Sequence, residues 1–125
     1  MELGCGTGRV TAHLATVFSK VYGCDISKPH LQIAEENLKK LNNIEFMKIL
    51  TPDQLLIIDK VNVVFSMIVL QYNAPPLIYK YIENILKVLK PGGIAFFQVP
   101  TYKKNYNFSI NRYLKNIEKT GSSPI

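Results

Sequence analysis

Three glycines on alternating positions, Gly4, Gly6 and Gly8, follow directly after an acid and an apolar residue, Glu2 and Leu3. Glycine has no Cβ, so a loop rich in it can turn sharply and can let a ligand reach the main chain. The amides at the start of a following helix are unpaired donors that suit a polar or anionic ligand. The spacing therefore predicts a loop that holds a ligand against its backbone.

An acid further along the chain fits the same ligand. Asp25 follows a short apolar segment, 20–24, that is typical of a buried strand. A carboxylate at the end of a second strand can accept hydrogen bonds from both vicinal hydroxyls of a ribose. Loop and acid together indicate a nucleoside-containing cofactor. A dinucleotide fingerprint, GxGxxG, would place the third glycine one residue later, so an NAD(P) oxidoreductase is the less favoured alternative.

The elements that must position these residues alternate between apolar strands and amphipathic helices. Strands are expected at 1–3, 20–24, 44–49, 61–66 and 94–99, and helices at 10–18, 27–41, 75–89 and 109–119. The segment VNVVFS, 61–66, shows no alternation, as in a strand covered on both faces of a parallel sheet. This order predicts an α/β fold with a doubly wound, mostly parallel sheet of about five strands.

The segment from Glu2 to Gly8 closely resembles the first motif of the class I S-adenosylmethionine-dependent methyltransferases, an acid and an apolar residue before GxGxG. Three further segments, 23–27, 63–72 and 86–97, resemble that family's second strand, its fourth strand with the following loop, and its junction into the fifth strand. The resemblance covers 1–99 of a single domain, 1–125, whose tail 100–125 forms a lid or a packed helix. It implies a Rossmann-like core, S-adenosylmethionine as cofactor and methyl transfer as the activity.

The resemblance also implies roles for individual residues. The glycine loop with Glu2 surrounds the methionine part of the cofactor, Asp25 binds the ribose and Ile26 lies beneath the adenine. For the acid that contacts the adenine amino group in many members, the aligned position is near Leu50, and Asp53 shortly beyond it is the candidate. The acid that often opens the fourth strand is replaced by Asn62. The candidate cofactor residues are Glu2, Gly4, Cys5, Gly6, Gly8, Asp25, Ile26, Asp53 and Ser66, and the candidate substrate residues are Gln71, Tyr72 and Tyr102. No residue stands out as a catalytic base, and no metal-ligand spacing occurs.

Composition limits the partners. The net charge of +6 comes from 15 basic and 9 acidic residues that are scattered, which favours a solvated surface over a nucleic-acid site. The string NAPP, 73–76, lies too far beyond the fourth strand to match the NPPY-type motif of adenine-amino methyltransferases. No apolar run reaches membrane-spanning length. Without such a run, and with only two cysteines, Cys5 and Cys24, we expect a cytoplasmic protein. Since nucleic acid is not favoured, we expect the methyl acceptor to be a small molecule.

The first strand has only three residues, and nothing after Val99 resembles the two strands that the family places beside its fifth strand. The sequence therefore predicts a chain shortened at both ends, with an apolar edge at 94–99 that favours self-association. Two functions stay open, an active methyltransferase and a truncated, noncatalytic remnant. A nucleic-acid methyltransferase is less favoured.

Overall fold

The computed structural model describes residues 1–120. The strands are β1 Glu2–Leu3, β2 Val21–Asp25, β3 Ile44–Lys48, β4 Val61–Ser66 and β5 Leu89–Phe97, and the helices are α1 Arg9–Val17, α2 Lys28–Asn37, α3 Pro75–Val88 and α4 Ile110–Thr120. Two short 3-10 helices, Pro52–Ile57 and Leu70–Tyr72, follow β3 and β4. Strands and helices thus alternate up to β5, as the hydrophobic periodicity predicts.

All five strands are parallel, in the order β3-β2-β1-β4-β5. The strand β1 is central, with Glu2 paired to Gly23 of β2 on one side and to Phe65 of β4 on the other. The chain order reverses at β1, and in such sheets ligands bind outside the carboxyl ends of the strands at this reversal. The predicted doubly wound α/β sheet is confirmed.

Local sequence accounts for the helix starts. In α2 the side chain of Ser27 accepts a hydrogen bond from the backbone N–H of His30 at 3.3 Å, and proline lies in the first turn, where it loses no helical hydrogen bond. In α3, Pro75 opens the helix in the same way, and its buried residues Tyr81, Ile85 and Val88 pack on the sheet. The Ser27 cap and the prolines thus mark where these two helices begin.

Two boundaries differ from the sequence prediction. Helix α2 ends at Asn37, and the N–H of Leu41 instead bonds to the carbonyl of Leu38 in a separate tight turn. Strand β5 begins at Leu89, which pairs with Val61, before a bulge in which Gly92 has a φ of 78°. The Lys-Pro-Gly-Gly segment therefore shapes a strand irregularity as well as the helix stop, because its glycine adopts a conformation that kinks the ladder.

The predicted helix in the tail is present as α4, from Ile110 to Thr120. Its start is marked by Ser109, whose hydroxyl accepts from the N–H of Arg112 at 3.4 Å. No helix within residues 1–120, α4 included, is both long and apolar enough to cross a lipid bilayer.

Candidate functional site at the carboxyl edge of the sheet

The glycine loop connects β1 to α1. Gly4, Gly6 and Gly8 have φ values of 80°, 53° and 87°, a region that other residues enter only with strain. A Cβ on Gly4 would lie 2.1 Å from a methyl carbon of Val69, whereas a Cβ on Gly6 would meet nothing within 4 Å. The first glycine thus permits close packing, and the second leaves an open space above the loop.

Asp25 lies at the end of β2 with both carboxylate oxygens hydrogen-bonded. The N–H of Gly6 donates to its Oδ2 and the N–H of Ser27 to its Oδ1, each with an N to O distance of 2.8 Å. The side chain is only partly buried, and an ionised carboxylate oxygen can accept more than one hydrogen bond. The carboxylate is therefore held in place while keeping the capacity to accept from a ligand.

A cavity of about 270 Å³, here called the edge cavity, lies against this carboxylate. Its wall combines one acid with apolar side chains from several elements: Leu3, Gly4, Asp25, Ile26, Ile49, Ile68, Val69, Tyr72, Asn73 and Tyr81. Ile26 is 64% exposed, so its side chain offers free apolar surface next to the acid. A flat apolar base and a ribose diol match this pairing of surfaces.

Glu2 does not line the edge cavity. Its buried carboxylate accepts a hydrogen bond from the Thr11 hydroxyl in the first turns of α1. Burial raises the pKa of Glu2, and the Thr11 hydrogen bond opposes that rise. This hydrogen bond joins β1 to α1 across the glycine loop. Glu2 therefore supports the loop without lining the edge cavity. Thr11 was not predicted from the sequence, although a polar residue three positions after the last glycine could have indicated a partner for Glu2.

Five other candidate cofactor residues also lie outside the wall of the edge cavity: Cys5, Gly6, Gly8, Asp53 and Ser66. The buried Ser66 hydroxyl donates to the Leu3 carbonyl at 3.0 Å and joins β4 to β1. Asp53 accepts from the Asn84 side-chain amide at 3.0 Å, which fastens the first 3-10 helix to α3. Cys5 is buried, and its burial raises the pKa of the thiol, as in an unreactive cysteine.

Several residues of the edge cavity were not predicted from the sequence, among them the apolar Ile49, Ile68, Val69 and Tyr81, and also Asn73. Ile68 has a φ of 58°, which is strained for a β-branched side chain, and such strain concentrates at functional sites. It lies two residues beyond the end of β4, the strand that pairs with β1. Tyr81 reaches the cavity from the middle of α3, and no local pattern marks it.

A second cavity of about 640 Å³, here called the tyrosine pocket, adjoins the first. The two cavities share Tyr72 and Asn73 in their walls. All three candidate substrate residues line the tyrosine pocket: Gln71, Tyr72 and Tyr102. The loop after β4 and the segment after β5 therefore converge at one end of the sheet, beside the glycine loop.

Comparisons with known proteins identify the family of the chain. A family model described as a methyltransferase domain matches residues 1–93. Phosphoethanolamine N-methyltransferase 1 of Triticum aestivum is 35% identical over 101 residues, which are 78% of this chain and 20% of that protein. The ubiquinone biosynthesis O-methyltransferase of Pelagibacter ubique (strain HTCC1062) is 28% identical over 112 residues, which are 88% of this chain and 45% of that protein. The chain thus spans between a fifth and about half of these relatives.

A solved structure has the same architecture. It is that of Haemonchus contortus phosphoethanolamine N-methyltransferase 1 in complex with phosphoethanolamine and S-adenosylhomocysteine, with a TM-score of 0.70 and 17% identity. The match covers 87% of this chain and 24% of that one, and at this identity it bears on the fold. The family predicted from the glycine motif is confirmed by the match over residues 1–93. The chain belongs to the methyltransferase-domain family of class I S-adenosylmethionine-dependent methyltransferases.

Proposed function

We propose that the edge cavity binds S-adenosylmethionine and that the chain takes part in methyl transfer to a small molecule. One observation carries the proposal: the Asp25 carboxylate is fixed by the Gly6 amide beside an open cavity at the strand-order reversal. The family supports it, as do the names of the plant and bacterial relatives, which are methyltransferases of small molecules.

The residues present fit this cofactor. Asp25 is an acceptor-only group, which suits a ribose diol that must donate two hydrogen bonds. The apolar surface of Ile26 and Ile49 suits one face of an adenine ring. The open space above Gly6 leaves room for a ligand to approach the loop backbone, and a side chain there would fill it. Of the candidate cofactor residues, these contacts favour Gly4, Gly6, Asp25 and Ile26 for direct binding.

S-adenosylmethionine supplies a methyl group that its positively charged sulfur has already activated. The remaining task of the protein is to align the acceptor and to exclude water. Tyr72 and Asn73 stand in the walls of both cavities, so they are suited to that alignment. Asn73 is itself held by hydrogen bonds from its side-chain amide to the carbonyls of Val69 and Leu70. No metal-binding group of histidine, cysteine or carboxylate side chains occurs within residues 1–120.

The test is calorimetric titration of the chain with S-adenosylmethionine and S-adenosylhomocysteine, with NADH as the control ligand. We expect both sulfur compounds to bind. The substitution Asp25→Ala should lower their affinity at least tenfold, because the ribose loses its hydrogen-bond acceptor. Asp59→Ala, which removes an exposed acid that does not line the edge cavity, should bind as the unchanged chain does. Absence of binding by a folded chain, or preference for NADH, would refute the proposal. Cofactor binding without turnover of any acceptor would favour the noncatalytic remnant.

We also propose that the chain self-associates through β5. We propose the cytoplasm as its location. Among the strands described, β5 lies at one edge of the sheet, and its side chains Ile94 and Phe96 are 65% and 57% exposed. Phe96 stacks on Phe65 of β4 with ring centroids 5.6 Å apart, so the two strands share an apolar face. An exposed edge strand with such a face is prone to pair with another chain.

A further inference from the structure

The tyrosine pocket has a composition that indicates what it binds. Four tyrosines line it, Tyr72 from the loop after β4, Tyr79 from α3, and Tyr102 and Tyr106 from the segment after β5. Three of them are largely uncovered, with exposed fractions of 76% for Tyr72, 70% for Tyr79 and 80% for Tyr102. Covering an exposed aromatic face with another planar ring removes apolar surface from water, which lowers the free energy.

A cation stands at the same pocket. Lys103 is the one charged side chain among the described residues of the lining, which include no carboxylate. Its Nζ lies 5.4 Å from the centre of the Tyr106 ring. The turn between them places both on the pocket, because the N–H of Tyr106 bonds to the Lys103 carbonyl at 3.2 Å and Asn105 adopts a φ of 60°. Asparagine tolerates this conformation better than most residues.

The size of the pocket argues for a ligand with a ring. Its volume of about 640 Å³ is within the range of sites for drug-sized molecules, roughly 300–1,000 Å³. A short aliphatic amino alcohol would leave most of this volume, and most of the tyrosine surface, in contact with water. The polar groups of Gln71, Asn73 and Thr101 add hydrogen-bonding partners without adding charge.

We propose that the tyrosine pocket takes a methyl acceptor built from a planar aromatic ring that carries an anionic group, with the ring on the tyrosine faces and the anion at Lys103. This inference rests on the proposed function in one respect, because a pocket that shares Tyr72 and Asn73 with the edge cavity is an acceptor site only if methyl transfer occurs there. Binding of the acceptor itself depends on the pocket alone, so it is measured without cofactor.

The experiment compares three probes of one shape and different charge, 4-hydroxybenzoate, 4-hydroxybenzyl alcohol and 4-hydroxybenzylamine, by calorimetric titration of the full chain. We expect the benzoate to bind at least fivefold more tightly than the alcohol and the amine to bind most weakly. Phenyl phosphate, included beside benzoate, distinguishes a phosphate from a carboxylate as the anion. Equal affinity for the three charge forms, or tighter binding of phosphoethanolamine than of the benzoate, would overturn the proposal.

Two matched variants locate the anion. Lys103→Met should lower the affinity for 4-hydroxybenzoate about fivefold and leave the affinity for the alcohol unchanged. Lys104 lies next in the chain but outside the pocket lining, so Lys104→Met should change neither affinity. Tyr102→Ala should lower the affinity for all three probes. Tyr102→Phe should preserve their binding, because the ring face is kept. A benzoate affinity unchanged in Lys103→Met would refute the charge contact. Titration of S-adenosylhomocysteine with the same preparations tests the cofactor site separately, so failure there does not decide this result.

Discussion

The backbone N–H of Gly6 donates a 2.8 Å hydrogen bond to Oδ2 of Asp25, 19 positions along the chain. This bond joins the glycine loop after β1 to the carboxyl end of β2. It explains why the two features occur together, because the loop orients the acid and the acid holds the loop. The proposed cofactor site depends on this relationship.

Gly6 and Gly4 should respond differently to alanine. Gly6→Ala should lower the free energy of unfolding by about 1–2 kcal/mol, because alanine is strained in the left-handed backbone conformation. It should also lower the affinity for S-adenosylhomocysteine at least tenfold, because the new methyl group fills open space beside the site. Gly4→Ala should cost about 3 kcal/mol, since its methyl collides with Val69 as well. Urea unfolding and calorimetry measure the two effects. Undiminished binding by Gly6→Ala would place the ligand elsewhere.

The pair of Glu2 and Thr11 should make stability depend on pH. Because the folded-state pKa of Glu2 is raised above its usual 4.5, the folded chain keeps this proton to higher pH than the unfolded chain does. The contribution of Glu2 to stability is therefore lost as pH rises from about 4.5 through the folded-state pKa. In Glu2→Gln this loss should disappear, so the variant gains stability relative to the unchanged chain as pH rises, measured by urea unfolding from pH 4 to 8.

Thr11→Val is the matched variant for this pair. It removes the hydrogen bond that stabilises the ionised carboxylate, so the pKa of Glu2 should rise further and the loss of stability with pH should grow. At neutral pH the variant should cost about 1.5–3 kcal/mol, as expected for a hydrogen bond to a charged group. Parallel pH profiles for the unchanged chain and both variants would contradict this account of Glu2.

Asp53 should affect stability more than cofactor binding. Asp53→Ala leaves the Nδ2 of buried Asn84 without a partner, which should cost about 1–3 kcal/mol. Asp53→Asn keeps an oxygen for that bond and loses only the distant ion pair with Lys80, 3.9 Å away, so it should cost under about 1 kcal/mol. Urea unfolding measures both variants. A large drop in S-adenosylhomocysteine affinity for Asp53→Asn, at unchanged stability, would restore the adenine contact expected from the family resemblance.

The apolar face of β5 should control self-association. Phe96→Lys places a charge on the exposed edge strand and should shift the chain toward monomer in sedimentation velocity runs. Leu56→Lys, which changes an exposed apolar residue outside β5, should leave the distribution unchanged. A monomeric unchanged chain at high concentration would end this proposal.

The sequence by itself determined the features that depend on local chemistry. Alternating glycines permit a left-handed backbone, an acid at the end of an apolar segment indicates a strand end, and the rhythm of apolar segments indicates a parallel sheet with intervening helices. It therefore predicted the fold class and the family, whereas the cofactor roles of Gly4, Gly6 and Asp25 stay predictions. The bulge at Gly92 escaped it because pairing with β4 defines that element.

Only the tertiary structure decided which distant residues meet. Thr11 meets Glu2 because the glycine loop turns the start of α1 back toward β1. Asn84 meets Asp53 because the crossovers between parallel strands return each helix over the sheet, and no local pattern records that return. The same crossovers bring the loop after β4 and the segment after β5 together, which creates the tyrosine pocket and places Lys103 at it. Residue type thus supplied the possible contacts, and the order of the strands selected among them.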